Sequence, residues 1–412
     1  MKYNSEFITF DLPNGLRVIH KQTDRPVAHV GLFINAGSRD EIDGESGLAH
    51  FIEHALFKGT KNRKAYHILN RLDSVGGELD AYTTKEMTCL YASFLKEYYN
   101  RALELIADIS LHATFPEKEL EKEKEVILDE ILVYQDSPSD QIFDDFESQL
   151  FKGHSLGNPI LGTKESVLAL GKKHIQAYQN RLYTASNMVI SSVGNISVKR
   201  LKKLIEKLFQ EVPTKKAEID RKAFLPLAPT HQEVNRGSMQ THYMMGKASI
   251  SAKSPKRYGM SLLNNVLGGP AMNSILNLKV RERFGYTYHL ESNYSAFSDS
   301  GEFSIYLASD PKYMSRCIKA IEKELKLLTQ KSLSTSKLHL AKQQLKGQLA
   351  ISRENNASLM LSYGKSFLMS NQVKTIEEIH HQIDQISASE LLDIANQEFD
   401  ANHFSTLTYQ GN

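Results

Sequence analysis

His50, Glu53 and His54 stand in the order H-x-x-E-H within the stretch Gly47-Leu-Ala-His-Phe-Ile-Glu-His-Ala-Leu-Phe57. Residues four apart lie one above the other on a helix, so the two imidazoles project from one face and can share a metal ion. Glu53 falls one step round the helix, beside such an ion without needing to bind it. There its carboxylate can take a proton from a water at the metal. Leu48, Phe51, Ile52, Ala55, Leu56 and Phe57 make the rest of the helix apolar. Burying unpaired imidazoles and a carboxylate in that setting costs on the order of several kcal/mol, and a metal removes the cost. The chain has 15 histidines, so a chance match or a satisfied surface pair is the competing reading.

A metal site of this kind needs a third protein ligand and an open coordination position. Downstream, the run from Pro116 to Leu132 has a helical pattern with a proline at its first turn. Leu120, Val126, Ile127, Ile131 and Leu132 supply its apolar positions. Glu123 and Glu130 are two turns apart and share a face. Most carboxylates in so charged a run solvate the outer face, and spacing alone does not single out one of them.

H-x-x-E-H followed by Glu130 within EKEKEVILDEI resembles the pitrilysin and insulinase-type zinc peptidases, the inverzincins. The pattern is most similar to their short-chain branch, which includes mitochondrial processing peptidase and bacterial homologues. The similarity runs from Leu12-Pro-Asn-Gly-Leu-Arg-Val18 to the C-terminus. The resemblance implies Zn2+ held by His50, His54 and Glu130, with Glu53 as general base and Glu123 supporting the site. It implies an endopeptidase that hydrolyses peptides or unfolded segments in an enclosed chamber. In such a protein the strand after Gly76-Gly77 takes the substrate backbone as an added strand, which points to Asp80, Ala81 and Tyr82. The family commonly has Asn where this chain has Asp80.

The second half carries a segment from Gly268 to Tyr288 that resembles the family's Arg/Tyr substrate motif. Its residues map to Arg281, Gly285 and Tyr288. A guanidinium and a phenol so placed would hold a peptide carbonyl and stabilise the oxyanion formed on attack. Read without the resemblance, Arg281 and Tyr288 are ordinary helix and strand residues. Long members of the family carry both motifs in one chain, and this chain has the length of one half. The resemblance therefore implies a homodimer with shared active sites.

The elements that must position these residues follow from periodicity. Residues 7–12, 16–22 and 27–36 alternate as strands of a half-buried sheet, with Asn14-Gly15 marking a hairpin. A second helix runs from Ala65 to Val75, and residues 79–94 read as a strand pair. Residues 187–195 form a strand that ends in a glycine turn, followed by a basic amphipathic helix to Phe209. Pro213, Pro226 and Pro229 fall in a stretch of mixed charge and little periodicity, which reads as a linker.

Beyond it the first half repeats at an offset of 215 residues. Tyr91, Tyr98 and Arg101 coincide with Tyr306, Tyr313 and Arg316, and Gly194-Asn195 is echoed by Gly411-Asn412. At the same offset His50, Glu53 and His54 fall on Asn265, Gly268 and Gly269. The expectation is an α+β chain of two related domains of like topology, each a mainly antiparallel sheet packed with helices. Their bounds are 1–211 for the metal-binding domain, 212–236 for the linker and 237–412 for a domain without ligands.

A net charge of +2 and 24% charged residues give no argument for a nucleic-acid partner. Cys89 and Cys317 are too few for a disulfide framework and lack metal-ligand spacing. The N-terminus lacks the apolar core of a signal peptide, and no run reaches the roughly 18 apolar residues that span a bilayer. These features predict a cytoplasmic protein without a membrane partner. Three functional readings stand side by side: an active zinc endopeptidase, a non-catalytic scaffold subunit of the same fold, and a subunit active only beside a separate partner chain.

Overall fold

The computed structural model describes residues 2, 3 and 6–411. The first half holds β1 (Lys2–Tyr3), β2 (Ile8–Asp11), β3 (Arg17–Gln22), β4 (Val27–Ile34), α1 (Leu48–Leu56), α2 (Ala65–Asp73), β5 (Glu78–Thr83), β6 (Thr88–Leu95), α3 (Tyr99–Leu111), α4 (Glu117–Gln135), α5 (Pro138–Leu150), α6 (Lys164–Ala169), α7 (Lys172–Leu182), β7 (Met188–Gly194) and α8 (Val198–Leu208). The second holds β8 (His231–Ser238), β9 (Thr241–Ser249), α9 (Arg257–Gly268), β10 (Thr287–Ala296), β11 (Gly301–Ser309), α10 (Pro311–Gln330), α11 (Thr335–Glu354), α12 (Asn356–Ser370), α13 (Ile376–Gln385), α14 (Ala388–Glu398) and β12 (Ser405–Gly411). Between the halves, residues 213–230 form neither helix nor strand.

Two sheets result. The first has the order β1-β2-β3-β7-β4-β6-β5, with β3 and β7 parallel and the other neighbours antiparallel. The second has the order β8-β12-β9-β11-β10, with β8 and β12 parallel and the rest antiparallel. Running β3-β7-β4-β6-β5 against β8-β12-β9-β11-β10 gives the same order, directions and chain sequence. The internal repeat is thus a repeat of topology: Tyr91 lies in β6 and Tyr306 in the matching β11, while Gly194 and Gly411 each end the matching strands β7 and β12. Both sheets are mainly antiparallel and packed with helices, as the sequence predicts.

Contacts divide the chain into two units whose members are not contiguous in sequence. One comprises residues 1–131, 158–221 and 351–373, and the other residues 132–157, 222–350 and 374–412. In the first unit α12, from the second half of the chain, packs on β4 and β7. Its Met360, Tyr363 and Phe367 are buried with Phe33 and Val189. A Cβ on Gly364 would come within 2.1 Å of the Phe33 ring, so glycine is what lets α12 approach the sheet. In the second unit α5, from the first half, packs on β9 and β12. Its Ile142, Phe146 and Leu150 recur every four residues and are buried with Met244, Tyr306 and Leu407. Each such buried apolar side chain contributes roughly 1.5–3 kcal/mol.

The other face of the first sheet carries the main core, where Val30, Leu32 and Ile34 of β4 meet α1, α3 and α4. From α1 come Leu48, Phe51, Ile52, Ala55 and Leu56, all fully buried. The remaining side of α1 carries His50, Glu53 and His54. From α4 the buried residues are Leu120, Ile127 and Ile131, together with Glu123 and Lys124. Val126 and Leu132, which the apolar spacing groups with them, are instead exposed. Among the described residues, no helix is long and apolar enough to cross a membrane. Cys89 and Cys317 are buried free thiols.

Candidate active site

Helix α1 starts at a fixed point. Gly47 precedes it with φ 85, and a Cβ there would lie 2.7 Å from the Leu161 carbonyl oxygen. Positive φ and close backbone approach both demand glycine. The buried Glu41 carboxylate accepts from the Gly47 N–H at 3.0 Å and from the Ala49 N–H at 2.8 Å. It satisfies amides that a helix start leaves without partners; burial pushes its carboxyl well above the usual range, and these two N–H bonds partly offset the rise.

One turn further on, His50 and His54 stand with ring centroids 4.6 Å apart. Helix α4 brings Glu130 to both. Glu130 Oε2 lies 3.7 Å from His50 Nε2 and 3.7 Å from His54 Nε2. The three ligand atoms all fall within 4.8 Å of one another. Bonds of about 2.1 Å at tetrahedral angles put neighbouring ligand atoms about 3.4 Å apart, so these separations suit a zinc ion. Two nitrogens and one carboxylate oxygen are also a donor set that zinc accepts and magnesium does not. Burial, with His54 adding to it, pushes His50 down to about 3, which keeps its imidazole neutral and its lone pair available. The residues fit the metal.

Glu53 is not part of this triangle. Its Oε2 accepts from the Thr83 hydroxyl at 2.5 Å. Burial raises its carboxyl above the usual range, and the Thr83 bond partly offsets the rise. Glu123, on the same face of α4 as Glu130, accepts from His54 Nδ1 at 3.2 Å and pairs with Lys58 Nζ at 2.7 Å. Its carboxylate thus touches His54 on the ring nitrogen that faces away from Glu130.

Thr83 closes β5, and β5 is an edge of the sheet. Asp80, Ala81 and Tyr82 lie along it, pairing with Tyr91, Leu90 and Cys89 of β6 on the other side. Asp80 is exposed, and its oxygens accept from the Ala81 N–H at 2.8 Å and the Tyr91 hydroxyl at 2.9 Å. Tyr82 stands edge-on to Tyr91. In the other unit, Arg281 is exposed in the π-helical segment Asn277–Glu282, and Gly285 has φ 63. Tyr288 lies in β10, but its side chain is outside the described residues. Sequence reasoning missed Glu41, Lys58 and Thr83, whose residue types and spacing carry no metal-site signature.

Fold and site together define a two-unit α+β protein with a helix-borne His/His/Glu site of metal-binding geometry. Residues 17–164 match the family described as insulinase (peptidase family M16), and residues 169–345 match the peptidase M16 inactive domain. An uncharacterized zinc protease of Bacillus subtilis, YmxG, is 35% identical over 94% of this chain and 94% of its own length. One from Rickettsia bellii is 31% identical over 99% of this chain and 98% of its own. A Pseudomonas fluorescens structure titled peptidase M16 inactive domain superposes with TM-score 0.90 at 21% identity, covering 98% of each chain. A protease from Helicobacter pylori superposes with TM-score 0.89 at 20% identity, covering 98% of this chain and 99% of its own. The chain belongs to the insulinase-type peptidase family M16. Zinc is the cofactor of that family, as the names of these relatives state. At the 215-residue offset of the repeat, Asn265, Gly268 and Gly269 stand where the first half has His50, Glu53 and His54, in keeping with the inactive-domain description; in the structure they fall at the end of α9 and just beyond it.

Proposed function

We propose that this protein is a zinc endopeptidase acting on peptides and unfolded segments, with zinc held by His50, His54 and Glu130. The observation that carries the reading is the convergence of both imidazole Nε2 atoms on Glu130 Oε2 at 3.7 Å, with the Glu53 carboxylate on the same helix. When bound, zinc supplies Lewis acidity toward water and toward a peptide carbonyl. Glu53 takes the proton from the attacking water and passes it to the leaving amine. With Oε2 held by Thr83, Oε1 is the atom that carries the proton. Glu123 fixes the ring of His54 from behind and is a positioning residue.

The substrate enters extended and pairs with edge strand β5 along Asp80, Ala81 and Tyr82, which leads it to the Thr83–Glu53 end. This mode needs an unpaired backbone, so compact folded proteins are poor substrates; by resemblance to the family, the reaction is enclosed in a chamber. By resemblance, the working form is a pair of identical chains. Arg281 and Tyr288 of one copy then hold the carbonyl at the metal site of the other.

The test is hydrolysis of a quenched, unstructured peptide before and after chelation, with zinc added back. Activity that is lost to chelator and restored by zinc is the expected result. A zinc-loaded chain that cuts no peptide would instead be a scaffold subunit of the same fold.

A further inference from the structure

The loop that follows α1 carries a cation aimed at the back of the metal site. Lys58 lies two residues beyond the helix, and its N–H donates to the Ala55 carbonyl at 3.1 Å. The loop is tied down by bridges between Gly59 and Lys64 and between Thr60 and Ala113. The Thr60 hydroxyl further donates to Asp108 at 2.8 Å. From this anchored position Lys58 Nζ reaches Glu123 Oε1 at 2.7 Å, while Glu123 Oε2 accepts from His54 Nδ1 at 3.2 Å. Each carboxylate oxygen thus has its own partner.

We infer that Lys58 is a positioning residue of the metal site, acting through Glu123 on His54. The inference rests on the zinc reading of His50, His54 and Glu130. An ordinary surface ion pair contributes little, because water screens both charges. Here the Glu123 side chain is only 7% exposed, so little water competes for its oxygens. Glu119, the nearby acid that could draw Lys58 away, is held by Lys122 at 2.8 Å. With Oε1 fixed by Lys58, the carboxylate plane is set and Oε2 is presented to the imidazole. The Nδ1–H bond then holds one tautomer and one ring orientation, with the Nε2 lone pair turned toward Glu130. Lys58 never touches metal or substrate, and its effect is on how tightly the site holds the ion.

The experiment measures zinc affinity of the metal-free full chain by competition with a chelating fluorophore, for wild type, Lys58→Gln, Lys58→Arg and Glu123→Gln. Lys58→Gln should weaken zinc binding by about 10-fold, the lower end of what outer-shell partners contribute. Lys58→Arg should recover most of that loss. Lys58→Gln combined with Glu123→Gln should be no weaker than Glu123→Gln alone, because both act along one path. The metal-free Lys58→Gln chain should melt somewhat lower, because the buried Glu123 carboxylate loses its cation, so affinities are compared at a temperature where every variant is fully folded. Lys58→Met serves the same comparison where the Gln variant does not fold. Zinc affinity of Lys58→Gln equal to wild type overturns the inference, as do losses that multiply in the double variant or a failure of Lys58→Arg to restore affinity. A wild-type chain that binds no zinc overturns the metal reading itself, a distinguishable failure.

Discussion

The hydroxyl of Thr83 donates to Glu53 Oε2 at 2.5 Å, which ties the end of the edge strand β5 to the metal helix α1 at its one carboxylate. The bond places the proposed base and the proposed substrate strand in one rigid frame. Thr83→Val keeps the shape and removes the donor. Hydrogen bonds to charged groups contribute about 1.5–3 kcal/mol, so turnover should fall at least about tenfold. The Michaelis constant and zinc content should change little. Steady-state kinetics with metal analysis on the same preparation checks this, and unchanged turnover would mean Glu53 needs no anchor.

Gly47→Ala should destabilise the first unit. A residue with a side chain pays about 1–3 kcal/mol in the left-handed region, and here its Cβ also meets the Leu161 carbonyl. Because Gly47 and Glu41 set where α1 begins, the variant should also bind zinc more weakly. Urea midpoint and zinc affinity report the two effects.

His20 predicts part of the response to acid. It is fully buried between β3 and its neighbour β7, with Nε2–H donating to the Ile196 carbonyl at 3.0 Å and Nδ1 facing Ser192 Oγ at 3.2 Å. Burial pushes it down to about 4, below its ordinary 6.5. The unfolded chain therefore binds a proton that the folded chain refuses between those values. Its contribution to stability is present above pH 6.5 and is lost as pH falls toward 4, by up to about 3 kcal/mol. His50 and His29 add slopes of the same sign. The measurable quantity is thus the difference between wild type and His20→Gln in how the urea midpoint changes from pH 7 to pH 4.5. The variant should show the flatter profile, and equal profiles would contradict the assignment.

A shared site makes a separate prediction. Glu53→Gln should be nearly inactive because the base is gone, and Arg281→Gln because removing an oxyanion donor typically costs about 10² to 10³ in turnover. Co-expressed and purified through two tags, mixed pairs hold one site with both residues intact. They should regain up to about half of wild-type turnover if the sites are independent. Mixed pairs as inactive as the parents would place Arg281 in its own chain's site or outside the reaction.

Much of this arrangement was legible in the chain. Alternation identified β2, β3 and β4, the stretch 187–195 with its closing glycine turn identified β7, and Asn14-Gly15 identified the hairpin that Gly15 closes with φ 89. Spacing of four put His50 and His54 on one face, and spacing of seven did the same for Glu123 and Glu130. Spacing did not tell which acid of α4 meets both imidazoles, because Glu123 and Glu130 look like other acids of a solvated helix. The exchange of α5 and α12 between the sequence halves was hidden for a related reason. The apolar stripe Ile142, Phe146, Leu150 states that a face is buried and not which sheet buries it. Lys58 and Thr83 matter only through distances set by the folded loop and strand. No residue pattern announces them.

The most direct measurement is the turnover of zinc-loaded Glu53→Gln on an unstructured quenched peptide. The proposed ligands His50, His54 and Glu130 are untouched, so the variant should retain about one zinc per chain, the load of a three-ligand site. With no carboxylate to take the proton, turnover should fall by about 10² to 10⁴. Hydrolysis at the wild-type rate by the zinc-loaded variant would contradict the account.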